Sequence, residues 1–198
     1  MKRPFCLGLT GSIGMGKSTT ARLFAEAGIP VWDADATVHA LYAKGGAAVA
    51  PLSAIFPAAI RDGAVDRDRL KTLLQADKQA LSRLESVVHP LVQAARQAFL
   101  LAHETADLIL LDIPLLYETG ADKDCDAVLV VTAAPDVQRA RVLARGQMTA
   151  AQLDMILARQ LPDAEKRRRA DFVIETFTLE QTRAEVRKLI ATLRSRHA

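Results

Sequence analysis

The run Gly11-Ser12-Ile13-Gly14-Met15-Gly16-Lys17-Ser18 fits the pattern GxxxxGK[ST] at each fixed position. Residue types in this order suit the cradling of phosphate. Glycines let the backbone curl until successive N–H groups face one centre, and a helix starting at the end of the loop adds partial positive charge. Lys17 would reach the β- and γ-phosphates of ATP, Ser18 would hold Mg²⁺, and Thr19 is a further nucleotide contact. A glycine-rich turn with a surface lysine is the bland alternative. Asp33 and Asp35 follow an apolar run; a carboxylate there can take the proton of an attacking alcohol or help hold Mg²⁺, or else cap the next helix. Asp112 ends another apolar run, as the metal-holding acid of a Walker B strand does. Arg141 and Arg145 are one helical turn apart and share a face, either a lid over the triphosphate that excludes water or a solvated basic surface. His89, before Pro90, is expected at a helix N-terminus, as an acceptor-phosphate contact or as a surface or capping group.

These residues need a frame. Residues 5–9 read as a buried strand leading into the loop, and 19–26 as a helix ending at Gly28. Apolar runs at 29–32, 108–111, 127–131 and 172–174 read as four further strands, separated by helical patterns. This is the signature of a parallel sheet covered on both faces, an α/β three-layer P-loop sandwich with five strands. Between the second and third strands, about 37–106, lies an insertion with helical periodicity throughout, in which Pro90 is expected to open the last helix. A lid is expected over about 136–164, and the whole chain reads as one kinase-like domain. Thr149-x-x-Gln152 and Thr178-x-x-Gln181 are capping boxes. Glu118 reads as a solvated helix residue, and most of the run Lys166-Arg167-Arg168-Arg169 as solvated charge. The segment 113–118 continues from Asp112 into a candidate pocket wall that includes Leu115.

Composition narrows the class. The chain has 198 residues, half of them hydrophobic, enough for a sizeable core. Two cysteines, Cys6 and Cys125, do not make a disulfide framework, so a reducing cytoplasmic setting is expected. Histidines 39, 89, 103 and 197 lack metal-ligand spacing. The basic start Met1-Lys2-Arg3 precedes an apolar run too short for a signal peptide, and no stretch approaches a membrane span. A net charge of +3 fits small anions as well as nucleic acid, and with six Phe, two Tyr and one Trp there is little for a base-stacking platform; neither a nucleic-acid nor a membrane partner is expected.

Taken together, several segments resemble the dephospho-coenzyme A kinase family. They are residues 9–18, Asp33-Ala34-Asp35, Asp66-Arg67, Leu84-Glu85-Ser86-Val87-Val88-His89-Pro90, Asp112-Ile113-Pro114-Leu115-Leu116-Tyr117-Glu118, Arg141-Val142-Leu143-Ala144-Arg145 and Ala170-Asp171-Phe172-Val173-Ile174. The resemblance implies ATP- and Mg²⁺-dependent phosphorylation of the ribose 3′-hydroxyl of dephospho-coenzyme A, the last step of coenzyme A synthesis. It implies Asp33 as catalytic base and Arg141 and Arg145 as lid arginines, which with Lys17 are expected to stabilise the transferring phosphoryl group. Asp35, His89 and Leu115 would lie on the acceptor side, with Ser18 and Asp112 at the metal. The chain departs from the family pattern after its last strand: where Ile-Asp-Asn-x-Gly is usual, it has Ile174-Glu175-Thr176-Phe177-Thr178. Lys71 stands for a usual arginine, keeping charge but not the planar fork, and Phe56-Pro57 stands for Phe-Gly. Two rivals remain at this level. One is a nucleoside-monophosphate-type kinase with another acceptor. The other is a guanine-nucleotide switch, whose usual Asn-Lys-x-Asp reader is absent because the chain has no asparagine.

Overall fold

The computed structural model describes residues 3–197, the last by its backbone alone; the basic start at Met1-Lys2 and the side chain of His197 lie outside the described residues. In chain order the elements are β1 (Phe5–Thr10), α1 (Lys17–Glu26), β2 (Val31–Asp33), α2 (Ala34–Tyr42), α3 (Val49–Ile55), β3 (Ile60–Arg61), β4 (Ala64–Val65), α4 (Arg67–Ala76), α5 (Ala80–Ala102), β5 (Leu108–Asp112), β6 (Ala127–Thr132), α6 (Pro135–Ala144), α7 (Ala150–Leu157), α8 (Asp163–Arg169), β7 (Phe172–Glu175) and α9 (Leu179–His197). They form two compact units: residues 1–33 with 103–198, and residues 34–102.

The first unit is built on a parallel sheet of order β2-β5-β1-β6-β7. Its strands read as continuous apolar runs because both faces are covered. One face of the alternation, Leu7, Leu9, Leu108, Leu110, Leu129 and Val131, meets Leu23 and Phe24 of α1 and Val186, Leu189, Ile190 and Leu193 of α9 in one buried cluster. The other face holds Cys6, Ile109, Leu111, Val128 and Val130, also buried. Gly8 points there against Leu116 and Cys125; an added Cβ would lie 2.7 Å from Cys125 Sγ. Burial of Cys6 matches its expected role as a small core residue. Thr149 caps α7 in the expected box with Gln152, and Thr178 accepts from the Gln181 N–H at 3.2 Å at the start of α9.

The second unit packs Tyr42, Leu52, Phe56, Val65, Leu70 and Val88 into a separate core. Asp66 caps α4 by accepting from the N–H groups of Asp68 and Arg69. A short hairpin, β3–β4, was not expected from the strand pattern. Its turn is Asp62-Gly63, both at positive φ (52° and 78°), as a type I′ two-residue hairpin turn requires.

Pro90 does not open a helix: it lies inside α5, which runs unbroken from Ala80 to Ala102, so His89 is an exposed mid-helix residue and not at an N-terminus. An interior proline costs about 3 kcal/mol. Val87, Val88, Leu91 and Val92, on both sides of it, all pack on the core of this unit. Val88 is buried and the other three partly so; with about 1.5–3 kcal/mol for a fully buried side chain and less for each partly buried one, their sum offsets the break.

Two charged side chains of the first unit form a pair. Lys166 is fully buried, with its ammonium 2.8 Å from Glu118 Oε1, and that oxygen also accepts the Leu161 N–H at 2.9 Å. Glu118 lies in a turn rather than a helix and is exposed as a residue, but its carboxylate is engaged by this pair, which ties the loop after β5 to α8. Only one face of α8 can meet the sheet, so Lys166 goes in while Arg167, Arg168 and Arg169 stay exposed. Burial pushes the Glu118 carboxyl up, but the Lys166 ammonium and the Leu161 N–H outweigh it and hold the group below its ordinary 4.5.

Glu118→Gln leaves a buried ammonium without its counter-charge and should lower stability toward the lower end of about 3–5 kcal/mol, since Glu118 keeps some solvent contact. A depressed carboxyl pKa means the folded state binds fewer protons than the unfolded one. The contribution is therefore complete above about pH 4.5 and is lost as pH falls through the lowered folded value. Urea midpoints of wild type and Glu118→Gln should differ at pH 7 and converge in acid; a constant gap across that range would contradict the pair's role.

Candidate active site

The carboxyl edge of the parallel sheet gathers the reactive residues of the first unit, as strand ends do in open α/β sheets. β1 ends at Thr10, whose hydroxyl donates to Pro114 O at 2.9 Å and so fixes the start of the segment after β5. The loop then turns through Gly14 (φ 79°) and Gly16 (φ 92°) into α1. These backbone angles favour glycine, and at Gly14 there is no room besides: an added Cβ would lie 2.5 Å from Val142 Cγ2.

The loop carbonyls are held from outside. Gln138 of α6 donates from Nε2 to Ile13 O at 2.7 Å, and the Thr176 hydroxyl donates to Met15 O at 2.9 Å. Met15 itself is buried, and its thioether accepts the Ala133 N–H. In a trans peptide the C=O and the following N–H point in opposite directions. Anchoring Ile13 O and Met15 O outward therefore turns the N–H groups of Gly14 and Gly16 toward the loop interior, where an anion would sit.

Lys17 and Asp112 form an ion pair at 2.7 Å, with side chains 16% and 3% exposed. Asp33 is the ladder partner of Asp112, so two carboxylates end adjacent strands at one level of the edge. Ser18 is exposed and Thr19 half-buried in the first turn of α1. An oxygen-only set of one hydroxyl and one or two carboxylates fits a magnesium ion, which is commonly held by few protein ligands and completed by phosphate oxygens and water. No group of three or more acidic, histidine or cysteine side chains with metal-holding geometry occurs among the described residues.

Arg141, near the end of α6, reaches the turn after β7: Nη1 donates to Thr176 Oγ1 at 2.8 Å, and Nη2 to the carbonyls of Thr176 (2.5 Å) and Phe177 (3.3 Å). Arg145 caps the C-terminus of α6 and is exposed. Leu115 is exposed in the segment after β5. Tyr117 in that segment stays a neutral phenol, because burial pushes it up to about 12. Asp35 and His89, both exposed, belong to the second unit.

The structure thus places Lys17, Asp112, Asp33 and the loop 11–18 at one edge and connects Arg141 to the loop through Thr176. Gln138 was missed by sequence reasoning, and Thr176 was visible only as a departure from a pattern. Each binds the loop across more than a hundred residues of chain, 125 and 161 respectively, and no local spacing announces such a contact.

The dephospho-CoA kinase family model matches residues 5–180. The chain is 64% identical over 192 residues to the dephospho-CoA kinase of Cereibacter sphaeroides, covering 97% of each. Among solved structures it superposes on TT1252 from Thermus thermophilus with a TM-score of 0.85 at 34% identity, covering 96% of this chain and 98% of that one. It matches the dephospho-CoA kinase from Campylobacter jejuni with a TM-score of 0.70 at 26% identity, covering 94% and 95%. A phosphate loop in its strand–helix setting, two carboxylates on neighbouring strands and this near full-length likeness agree: the chain belongs to the dephospho-CoA kinase family.

Proposed function

We infer that this protein transfers the γ-phosphoryl group of ATP to the ribose 3′-hydroxyl of dephospho-coenzyme A, giving coenzyme A and ADP. The observation that carries the reading is the pairing of Asp33 with Asp112 at the strand edge, beside Lys17 and the phosphate loop, in a chain of this family. The inward N–H groups of the loop 11–18 hold the β- and γ-phosphates, and Lys17 adds a point charge to them. Asp33 orients the attacking hydroxyl and takes its proton. The hydroxyl oxygen bonds to the γ-phosphorus as the bond from that phosphorus to the bridging oxygen breaks, and ADP leaves. Arg141 and Arg145 neutralise charge on the transferring group. Asp35, His89 and Leu115 contact the acceptor. Ser18, with Asp112, would hold Mg²⁺, which neutralises charge on the phosphates when bound.

Asp33→Asn should cut kcat by about 10²–10⁴-fold while ATP affinity, read by calorimetry, stays within about threefold. An unchanged kcat removes Asp33 from the reaction. Lys17→Ala should lower kcat by at least about 10²-fold and also lower the melting temperature, since Asp112 loses the cation facing its buried carboxylate. The acceptor is tested with a panel assayed for ADP release: dephospho-coenzyme A should be turned over and nucleoside monophosphates should not. The reverse pattern would assign the chain a different acceptor.

A further inference from the structure

We infer that Thr176 is a positioning residue for this reaction, holding the phosphate loop and Arg141 in one hydrogen-bond chain. The inference rests on the reading above that ATP phosphates lie on the loop 11–18. Thr176 is 5% exposed, and every polar group it has is used. Its N–H donates to Thr132 O at 2.8 Å, which fixes the turn to the end of β6. Its carbonyl and its hydroxyl oxygen both accept from Arg141. A hydroxyl has one proton to give. Met15 O at 2.9 Å is the nearer acceptor and Thr132 O, at 3.2 Å, the more distant. The direction is thus Arg141 N–H to Thr176 O–H to Met15 O. A cationic donor on the hydroxyl oxygen strengthens the hydroxyl as a donor in its turn.

Two consequences follow from this placement. Holding Met15 O outward aims the Gly16 N–H into the anion nest, so the hydroxyl acts on ATP through the loop rather than by touching it. Thr176 also packs beside Gly16: a Cβ at Gly16 would lie 3.0 Å from Thr176 Oγ1, so close packing adds to the preference for glycine set by its φ of 92°. At this position, where asparagine is usual in the family, the chain presents a hydroxyl donor to the loop. The same hydroxyl orients Arg141, whose guanidinium is spread over Thr176 and Phe177.

The test compares Thr176→Val, close in shape but without the hydroxyl, with Thr176→Ser, which restores it. Thr176→Val should raise the KM for ATP about tenfold, leave the KM for dephospho-coenzyme A within about twofold, and lower kcat as Arg141 loses its support. Thr176→Ser should stay within about threefold of wild type in all three. A Thr176→Val protein that melts earlier but keeps its ATP KM within twofold would reduce the residue to a structural role and overturn the inference. If Thr176→Val does not fold, Thr176→Ser and Thr176→Cys make the same comparison with side chains of nearly equal size. The thiol, a weak donor, should raise the ATP KM several-fold above the serine form; equal values overturn the inference. Wild-type protein that does not bind ATP would overturn the underlying reading and this inference together, whereas tight ATP binding by both wild type and Thr176→Val overturns this inference alone.

Discussion

The structure depends on the orientation of two peptide groups. Ile13–Gly14 and Met15–Gly16 must turn their N–H groups inward, and a glycine-rich loop has no intrinsic reason to keep them so. Side chains brought by distant elements supply the constraint: Gln138 from α6 grips Ile13 O, and Thr176 from the turn after β7 grips Met15 O. The entropic freedom of the glycines, which permits the conformation, is removed from outside the loop. An anion site so arranged needs little rearrangement on binding, which is the general advantage of preorganised donors.

The carboxylates depend on the sheet in the same way. β2 and β5 pair in parallel with Asp33 opposite Asp112, and β5 pairs in turn with β1, which delivers the loop. Adjacent strands ending together place two negative charges near the loop, and Lys17 meets Asp112 at 2.7 Å. Packing of Leu7, Leu9, Leu108 and Leu110 against α1 and α9 holds these strands in register, so the buried apolar face sets the spacing of the polar edge. The Glu118–Lys166 pair fixes the segment after β5 from the other side, where Leu115 and Tyr117 lie.

What could be read from sequence was what is local. The phosphate loop is defined by spacing along the chain, and the strands by short apolar runs, so both lie where the pattern puts them; β2 alone is displaced, at Val31–Asp33 rather than 29–32. The Asp62-Gly63 hairpin was equally local, and its dipeptide was the signal to use. Pro90 was misread because the helix-start rule describes an isolated segment, while in the folded chain Val87, Val88, Leu91 and Val92 pack on the core across the proline. Three of the four charges at 166–169 are exposed, as the pattern implies, but a run of charges does not say which member faces the sheet. Gln138 and Thr176 act over separations of 125 and 161 residues, and only a structure brings them to the loop.

The central claim is phosphoryl transfer to one hydroxyl of one acceptor. Phosphorus NMR of a reaction containing ATP, Mg²⁺, dephospho-coenzyme A and the purified chain tests it most directly. A single new phosphomonoester, placed on the ribose 3′ position by its coupling and growing as ADP appears, is the predicted result. Inorganic phosphate and ADP with the acceptor unchanged, or a phosphate at another position, would contradict the account.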